Sequence, residues 1–313
     1  MIRIVTDSTC SLSNELIKKY KIKTATLTFT LDEEEINDNV SQLIVDEFYR
    51  RIIETDEIGP LNPPTQEKYF EIFTEGVKNG DENFIVITMS SKNGGSYESA
   101  IRARDSFLSS TRISGIRIAV IDSRNMSSGY GYLVIKTAKL RDQGVSYEDL
   151  VEFAEKYKTR IKGYVCVSDA LSLSKMGLLK TSERKVRRVT DNIVMLTTDN
   201  KGMGIMLGQA NGIDEVYRAY AIDFTKHLDN DLTDFLIIEY SSDLNRAEGL
   251  RKYLLDHTSF RGEIYLSQLS PSGGAMLGLG SIGMSYVSKS SSDAFGDLFR
   301  RVGATTKTSK GGF

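Results

Sequence analysis

The sequence predicts an α/β protein of two domains, the first a parallel sheet with helices on both faces and the second a mixed sheet with helices. Short apolar runs rich in β-branched residues alternate with helical patterns through the first half. The rhythm then changes, because the strand-like runs Ile193–Thr197 and Gly204–Gly208 are separated only by a turn. With 313 residues, each of two domains can bury its own core.

The first domain is expected to span residues 1–158. Its predicted strands are Ile2–Val5, Thr24–Leu31, Phe84–Thr88 and Ile116–Ile121. Its predicted helices are Ser13–Tyr20, Ser41–Glu54, one opened by Asn62–Thr65, Tyr97–Leu108 and Gly129–Arg141. Ser13 is suited to an N-cap, and the acidic run Asp32–Glu35 lies between apolar segments, which favours a solvated turn. Strand–helix alternation of this kind produces a parallel sheet covered on both sides.

The second domain is expected to span residues 159–313, and a long helix from Val145 to Arg160 leads into it. Its predicted strands are Tyr164–Val167, Ile193–Thr197, Gly204–Gly208, Phe235–Glu239, Glu263–Leu266 and an apolar run after residue 280. Its predicted helices are Asp169–Met176, Ile213–His227, Leu244–Asp256 and Ala294–Arg301, with Ser182–Thr190 as an exposed connection.

Charge, cysteine content and hydropathy exclude several classes of function. Forty basic against 42 acidic residues leave a net charge of −2, so no nucleic-acid footprint is present. Cys10 and Cys166 are the only cysteines, which indicates a reducing compartment without a disulfide scaffold or a zinc ligand set. The chain opens directly into a strand and has no apolar run of about 18 residues. We therefore expect a cytoplasmic protein with no membrane span and no metal.

Three polar loops follow strands of the first domain, at residues 6–10, 90–96 and 122–129. The carboxyl ends of parallel strands meet at one edge, where ligands collect. N-capping alone explains any one of these loops, but the three together favour a polar pocket. The candidate ligand-binding residues from these loops are Asp7, Ser8, Ser91, Asn93, Gly94, Gly95, Ser96 and Ser123.

The loop at residues 90–96 is the most informative of the three. It joins a strand to a helix through hydroxyls, an amide and two glycines. Backbone N–H groups at a helix start carry partial positive charge, and glycine lets a ligand approach the backbone. The loop contains no acid, histidine or cysteine, so it predicts that a ligand is held there without predicting a reaction.

A glycine-rich segment, residues 270–280, has two interpretations. It is either a tight turn followed by a close-packed helix or strand, or a ligand-facing element, for which Ser270, Gly273 and Gly274 are the candidates. It lacks the lysine of a phosphate loop. Five methionines either line an apolar tunnel or belong to the core; they are Met176, Met203, Met206, Met276 and Met284.

Several motifs, in order, resemble the DegV family of fatty-acid-binding proteins. They are Val5–Thr9, Ser90-Ser91 with Gly95–Ala100, Val120–Ser123 with Met126-Ser127 and Gly129, Ser168–Leu171, and Ser272–Ala275. The resemblance covers essentially the whole chain. It implies a long-chain fatty acid between two domains, with the acyl chain in an apolar tunnel and the carboxylate held by hydroxyls and amides. It also implies that the protein presents the fatty acid to a separate kinase.

Four positions depart from the family pattern at the head group. Leu61 stands where the family has a threonine, Gly94 where it has a serine, Leu178 where it has an arginine, and Ser270 where it has a histidine. Compensating groups are Asn62, Asn93, Ser96, Ser270 and the amides of Gly94 and Gly95. We therefore expect a fatty acid or a related apolar ligand with a less acidic head.

The alternative is an enzyme, a phosphotransferase or hydrolase acting at the same cleft. A nucleophilic Ser8 or Ser91 would need a base, and the only histidines, His227 and His257, lie near the ends of predicted helices. A histidine there commonly complements the helix C-terminus. Neither a Walker-type phosphate loop nor an HxxEH metal set occurs. We assign no catalytic residue and no cofactor, and expect a lipid carrier.

Overall fold

The computed structural model describes residues 1–38, 42–54, 59–167 and 193–291. Several expectations lie outside these residues. They are the helices Asp169–Met176 and Ala294–Arg301, the connection Ser182–Thr190, the motif Ser168–Leu171 and the Leu178 position.

The first half of the chain forms a four-stranded parallel sheet, as predicted. The elements of this half of the chain are β1 (Ile2–Asp7), α1 (Asn14–Lys19), β2 (Lys23–Ala25), β3 (Thr28–Leu31), β4 (Glu34–Asn37), α2 (Gln42–Ile52), α3 (Gln66–Lys78), β5 (Asn83–Thr88), α4 (Ser96–Ser110), β6 (Arg117–Asp122), α5 (Ser128–Asp142) and α6 (Tyr147–Tyr157). The sheet has the order β2-β1-β5-β6, and every neighbouring pair is parallel.

Helices cover both faces of this sheet. Successive residues of a strand point to opposite faces, and accordingly Ile4 and Val5 belong to different apolar clusters. Val5 packs with Phe73 of α3 and Ala103 of α4. Ile4 packs in the larger cluster together with Leu133 of α5. The predicted two-sided covering is therefore confirmed.

The predicted strand Thr24–Leu31 is wrong as a single element. The chain leaves the sheet after Ala25, because the N–H of Leu27 donates to Ser8 Oγ at 3.0 Å. The second part, β3, forms an antiparallel hairpin with β4. Asp32 and Glu33 make its turn with φ of 50° and 66°, as a two-residue hairpin connection requires. The acidic turn is thus shorter than predicted, and its last two glutamates belong to β4.

The second half forms a six-stranded mixed sheet, as predicted. Its elements are β7 (Ile161–Val167), β8 (Ile193–Thr198), β9 (Gly204–Ala210), α7 (Ile213–His227), β10 (Phe235–Tyr240), α8 (Leu244–His257), β11 (Glu263–Gln268), α9 (Pro271–Leu277) and β12 (Ile282–Val287). The order is β11-β10-β12-β7-β8-β9. Only β10 and β11 are parallel; the other pairs in this sheet are antiparallel.

The helix that leads into the second half is shorter than the predicted Val145–Arg160. It begins after Ser146, whose side chain accepts a hydrogen bond from the N–H of Asp149 and so caps it. It ends at Tyr157, and β7 follows from Ile161. We keep the division of the domains at residues 158 and 159 as a proposal, since it falls between these two elements.

Helix α5 lies between the two sheets. It packs on β1 and β5 of the first sheet and on β7, β10 and β12 of the second, and ten of its 15 residues are buried. Glycines allow this approach. A Cβ on Gly131 would lie 2.1 Å from the carbonyl oxygen of Cys10, and one on Gly163 would lie 2.9 Å from the Cα of Gly129. The backbone of α5 therefore packs directly against the backbone of Cys10 in the first half and of Gly163 in the second.

Two buried carboxylates, one from each half of the chain, accept hydrogen bonds from the other half. Glu239 of β10 accepts from Ser127 Oγ at 2.6 Å and from the N–H of Ser128 at 2.8 Å, at the start of α5. Asp38, which follows β4, accepts from the N–H of Ser272 at 2.9 Å and from its hydroxyl, at the start of α9. A helix N-terminus favours negative charge. Each half therefore supplies the carboxyl group that caps a helix of the other.

Asp38 makes stability depend on pH. Burial raises the pKa of Asp38 above its ordinary value of 3.8, although hydrogen bonds from Ser272, Ser8 and Ser270 oppose this. The folded protein therefore keeps the proton to higher pH than the unfolded chain does. The free energy of unfolding should fall as pH rises above about 4, until the folded pKa is passed.

The side chain introduced by Asp38→Asn cannot titrate, so we expect the variant to lack the pH-dependent contribution of Asp38 to the free energy of unfolding. The free energy of unfolding of the wild type, relative to that of the variant, should therefore decline as pH rises. Urea unfolding between about pH 4 and pH 8 measures it. Asp256→Asn, at an exposed position, is the control, whose curve should run parallel to that of the wild type. Parallel curves for wild type and Asp38→Asn would contradict the expectation.

Candidate ligand-binding site

The segment between β5 and α4 builds the predicted strand–loop–helix arrangement. The N–H of Ser90 donates to the carbonyl of Asn125 at 2.9 Å, and the N–H of Asn93 donates to the carbonyl of Ser90 at 2.9 Å, which closes a turn. Helix α4 then begins with Gly95 as its N-cap, and no side chain caps it. The first-turn N–H groups of a 15-residue helix therefore keep their partial positive charge for a ligand.

A cavity of about 260 Å³ opens beside this helix start. Its walls come from the connection after β2, from residues 60–63, from the segment after β5, and from α9. The lining residues are Leu27, Pro60, Leu61, Pro63, Met89, Asn93, Gly94, Ser96 and Met276. The structure thus brings the loop at residues 90–96 and one residue of the glycine-rich segment to the same cavity.

Two polar atoms of the lining have no hydrogen-bond partner among the residues that the structure describes. They are Oγ of Ser96 and Oδ1 of Asn93, in side chains 1% and 5% exposed. The other end of the Asn93 amide is engaged, because Nδ2 donates to the carbonyl of Gly202 at 2.9 Å. A buried polar group without a partner is destabilising by about 1–3 kcal/mol. The pair therefore indicates a place for a ligand's polar group.

Tyr69 lies behind Ser96. Burial raises the pKa of the Tyr69 phenol, the charge of Asp7 adds to this, and the Ser96 hydroxyl opposes it. The two hydroxyls are thus close enough to interact, yet they do not meet the geometry of a hydrogen bond. Ser96 remains able to turn its hydroxyl toward a ligand.

The turn between β8 and β9 closes over the loop from the other domain. Gly202 has a φ of +85°, and a Cβ there would lie 2.1 Å from Ser90 Oγ and 2.9 Å from the Cα of Arg124. The guanidinium of Arg124 donates to the carbonyl of Asn200 at 3.4 Å. Only glycine satisfies both the backbone angle and the close approach.

Gly94 and Gly95 make room for side chains that line the cavity. A Cβ on Gly94 would lie 2.7 Å from the terminal methyl of Met89, and one on Gly95 would lie 3.0 Å from Cγ of Pro63. Gly94 itself is exposed. The two glycines therefore shape the wall as well as leaving their amides accessible.

Asp7 and Ser8 lie one contact behind the cavity. Asp7 Oδ2 accepts from the N–H of Met89 at 3.0 Å, and its other oxygen binds the hydroxyl of Tyr130. Ser8 Oγ accepts from the N–H of Leu27. Both side chains are fully buried and position two lining residues, Met89 and Leu27. Their predicted contact with a ligand stays a prediction.

Ser91 and Ser123 are engaged in their own loops. Ser91 Oγ donates to Asp122 Oδ2 at 2.6 Å, and Ser123 Oγ donates to the carbonyl of Asn125 at 3.3 Å. Asn62 has an exposed side chain, and its backbone bridges to Thr28, while its neighbours Leu61 and Pro63 line the cavity. For these three residues, too, ligand contact stays a prediction.

The predicted residues of the glycine-rich segment, Ser270, Gly273 and Gly274, do not line this cavity, and their contact with a ligand stays a prediction. Ser270 is the N-cap of α9, donates to Asp38 at 3.2 Å, and lines a separate crevice of about 530 Å³ between the two halves. A Cβ on Gly274 would lie 2.5 Å from the hydroxyl of Tyr49, so this glycine lets α2 and α9 pack. Gly273 donates its N–H to Ser270 Oγ at 3.4 Å. Among the candidate methionines that the structure describes, only Met276 lines the 260 Å³ cavity.

The two histidines occupy helix ends, as predicted. His227 is the last residue of α7, and its Nδ1 lies 2.9 Å from Asp223 Oδ1. Asp223 also accepts from Tyr286 at 2.8 Å and from Tyr164. Burial alone would raise the pKa of Asp223, but these hydrogen bonds lower it overall. His257 ends α8 and contacts the carbonyl of Tyr253 at 2.9 Å. Neither histidine lines either cavity described above.

Two further features are absent from the described ranges. No group of three or more metal-ligating side chains is present there. In the same ranges, no helix has both the length and the apolar character to cross a membrane.

The fold and the cavity define an α/β protein of two domains, with an apolar site where loops of both domains meet. The chain belongs to the DegV family, because the family model described as an uncharacterised DegV protein matches residues 1–289. A DegV domain-containing protein of Clostridium perfringens is 31% identical over 71% of this chain and 77% of its own length. One of Caldanaerobacter subterraneus is 30% identical, covering 83% and 90%.

Solved structures share the fold. A DegV lipid binding protein of Thermotoga maritima superposes with a TM-score of 0.80 and 17% identity, covering 93% of this chain and 99% of that one. A stearic-acid-binding protein of Eubacterium ventriosum gives 0.81 and 19%, covering 92% and 99%. The Fatty Acid Kinase B3 protein of Streptococcus pneumoniae, loaded with linoleic acid, gives 0.76 and 19%, covering 92% and 99%.

The close approach of Gly202 can be tested by substitution. Gly144 has a nearly equal φ of +84°, but nothing lies within 4 Å of a Cβ there. Gly144→Ala should therefore destabilise by about 1 kcal/mol through backbone strain alone. Gly202→Ala should destabilise by about 2 kcal/mol or more, because it also displaces Ser90. Denaturant unfolding measures the free energy of unfolding of both variants. Equal losses of this free energy would show that the turn at Gly202 is not in close contact with Ser90.

Proposed function

We propose that this protein binds a fatty acid or a related long-chain acyl ligand and does not transform it. One observation carries the proposal: an apolar cavity ends at the uncapped start of α4, where Ser96 Oγ and Asn93 Oδ1 are buried without partners in the described structure. A ligand with one apolar and one polar end matches both parts. Apolar lining with a few convergent polar groups is typical of small-molecule sites.

The apolar walls supply most of the affinity in this proposal. Leu27, Met89 and Met276 come from three separate regions of the chain. Burial of an acyl chain contributes about 0.8 kcal/mol per CH₂, so the tail stabilises the complex and the polar end orients it. The cavity is slightly smaller than the about 300–1,000 Å³ of ordinary ligand sites. Because methionine side chains adapt readily, movement of Met89 and Met276 would widen it for a tail.

The family supports this function. Structures with the same fold include proteins named for bound stearic and linoleic acid. We further propose that the protein hands its ligand to a separate fatty-acid kinase, as the name of the Streptococcus pneumoniae protein suggests. Cys10 and Cys166 are free and buried, which supports our proposal of a cytoplasmic location. No contact in the described structure favours the enzyme alternative over binding.

Extraction of freshly purified protein with organic solvent, followed by mass spectrometry, tests the proposal. We expect an acyl species at close to one equivalent. After delipidation, oleic acid or its neutral derivatives at about 100 times the Kd should raise the unfolding midpoint by about 5 °C or more. Absence of an acyl species together with absence of any shift would overturn the proposal.

A charge in the apolar wall should reduce this shift. Leu61 lines the cavity and is partly buried, so Leu61→Glu places a carboxylate in the apolar wall. We expect binding about tenfold weaker or worse. Leu108, 40% exposed on α4, provides the control Leu108→Glu, which should bind as the wild type does. An unchanged affinity in Leu61→Glu would place the tail elsewhere.

A further inference from the structure

We propose that the head group held at this cavity is uncharged and carries both a hydrogen-bond donor and an acceptor, as a primary amide or an alcohol does, and is not an ionised carboxylate. The inference rests on the proposed acyl binding and specifies the chemical class of the polar end. Three observations support it: the fixed orientation of Asn93, the free hydroxyl of Ser96, and the charges around the loop.

Asn93 lines the cavity and carries an acceptor that has no partner among the described residues. Its Nδ2 donates to the carbonyl of Gly202 at 2.9 Å, and Oδ1 is buried without a partner in the described structure. Rotation of the amide by half a turn would bring Oδ1 against the Gly202 carbonyl, which can only accept. The orientation is therefore determined by the hydrogen bond, and the ligand has to supply a hydrogen to Oδ1.

Ser96 complements an acceptor on the ligand. Its Oγ is buried and makes no hydrogen bond in the described structure, so its hydroxyl hydrogen is available for a ligand oxygen. The uncapped start of α4 offers N–H groups to the same oxygen. A head group with one donor and one acceptor can therefore bond to Asn93 Oδ1, to the Ser96 hydroxyl and to the N–H groups at the start of α4. An ionised carboxylate has acceptors only and would leave Asn93 Oδ1, itself an acceptor, facing an anionic oxygen.

Among the described residues, the charges around the loop give an anion little support. None of the nine lining residues is a lysine, arginine or histidine. Lys92 within the loop is exposed, and Arg124 beside the loop donates to the carbonyl of Asn200 at 3.4 Å; neither lines the cavity. Two carboxylates bind the loop from behind, Asp7 through the N–H of Met89 at 3.0 Å and Asp122 through the N–H of Ser91 at 3.2 Å. After burial, they are the next largest cause of the raised pKa of Tyr69 and Tyr97 respectively.

Calorimetric titration of the delipidated protein with four ligands of one chain length tests the inference: oleic acid, oleamide, oleyl alcohol and methyl oleate. At about pH 8 a monomeric carboxylic acid is ionised, and methyl oleate has acceptors only. We expect oleamide and oleyl alcohol to bind about tenfold or more tightly than the other two, because only they satisfy Asn93 Oδ1. Oleic acid binding as tightly as oleamide would overturn the head-group inference and leave acyl binding standing. Failure of all four ligands to bind would instead overturn acyl binding, and the inference with it.

Two substitutions separate the groups. Asn93→Ala removes the acceptor, so the preference for oleamide over oleic acid should fall to about threefold or less. Ser96→Ala should weaken all four ligands while the preference for oleamide persists. An unchanged preference for oleamide over oleic acid in Asn93→Ala would show that Asn93 does not bind the head group.

Substitution of Gly94 gives a second test of the head-group inference, and it leaves Asn93 and its hydrogen bond to Gly202 in place. Gly94→Ser adds a donor beside the cavity, where its Cβ displaces only the flexible methyl end of Met89. We expect it to improve oleic acid relative to oleamide by about threefold or more. Gly94→Ala has the same steric contact without the hydroxyl and should keep the wild-type ratio. Equal ratios in both variants would contradict the assignment.

Discussion

The reciprocal capping of two helices by buried carboxylates is the constraint on which the rest of the structure depends. A buried carboxylate is strongly unfavourable unless hydrogen bonds compensate it. Asp38 and Glu239 each accept a backbone hydrogen bond from a helix start of the opposite half, so the burial of each acid depends on the other half. The arrangement of the two domains follows from this requirement. The cavity follows as well, because Met276 of α9 lines it and the turn at Gly202 contacts its loop.

Most of the fold could be predicted because its elements are regular and long. Helix α7 has the predicted bounds, Ile213–His227, since its apolar spacing and its flanking glycine and basic residues agree. The helix Val145–Arg160 was predicted too long because its own Ser146 caps it, whereas the strand Thr24–Leu31 failed because of a side chain from another part of the chain. The Thr24–Leu31 run has uniform β propensity, and nothing within it shows that Ser8 binds the N–H of Leu27 and draws the chain out of the sheet. Propensity describes a segment, whereas this break depends on a distant partner.

The site was predictable in its loop and less so in its walls. Hydroxyls and glycines after a strand are a strong local signal, and Asn93, Gly94 and Ser96 do line the cavity. The same residue types also cap helices, so sequence could not separate these residues from Asp7 and Ser8, which position Met89 and Leu27 from behind. Leu27, Pro60, Pro63 and Met89 were not identified, because an apolar side chain in a loop carries no chemical signal. Only their convergence in space marks them as walls.

The chemistry of the cavity is controlled from both domains. Asn93 belongs to the first domain, but the carbonyl that fixes its amide comes from Gly202 of the second. An asparagine free to rotate would offer either a donor or an acceptor; held by Gly202 it offers an acceptor. Gly202 can approach this closely only because it has no side chain and tolerates a φ of +85°. The acceptor that Asn93 offers is therefore a consequence of domain docking, and residues of the loop alone do not determine it.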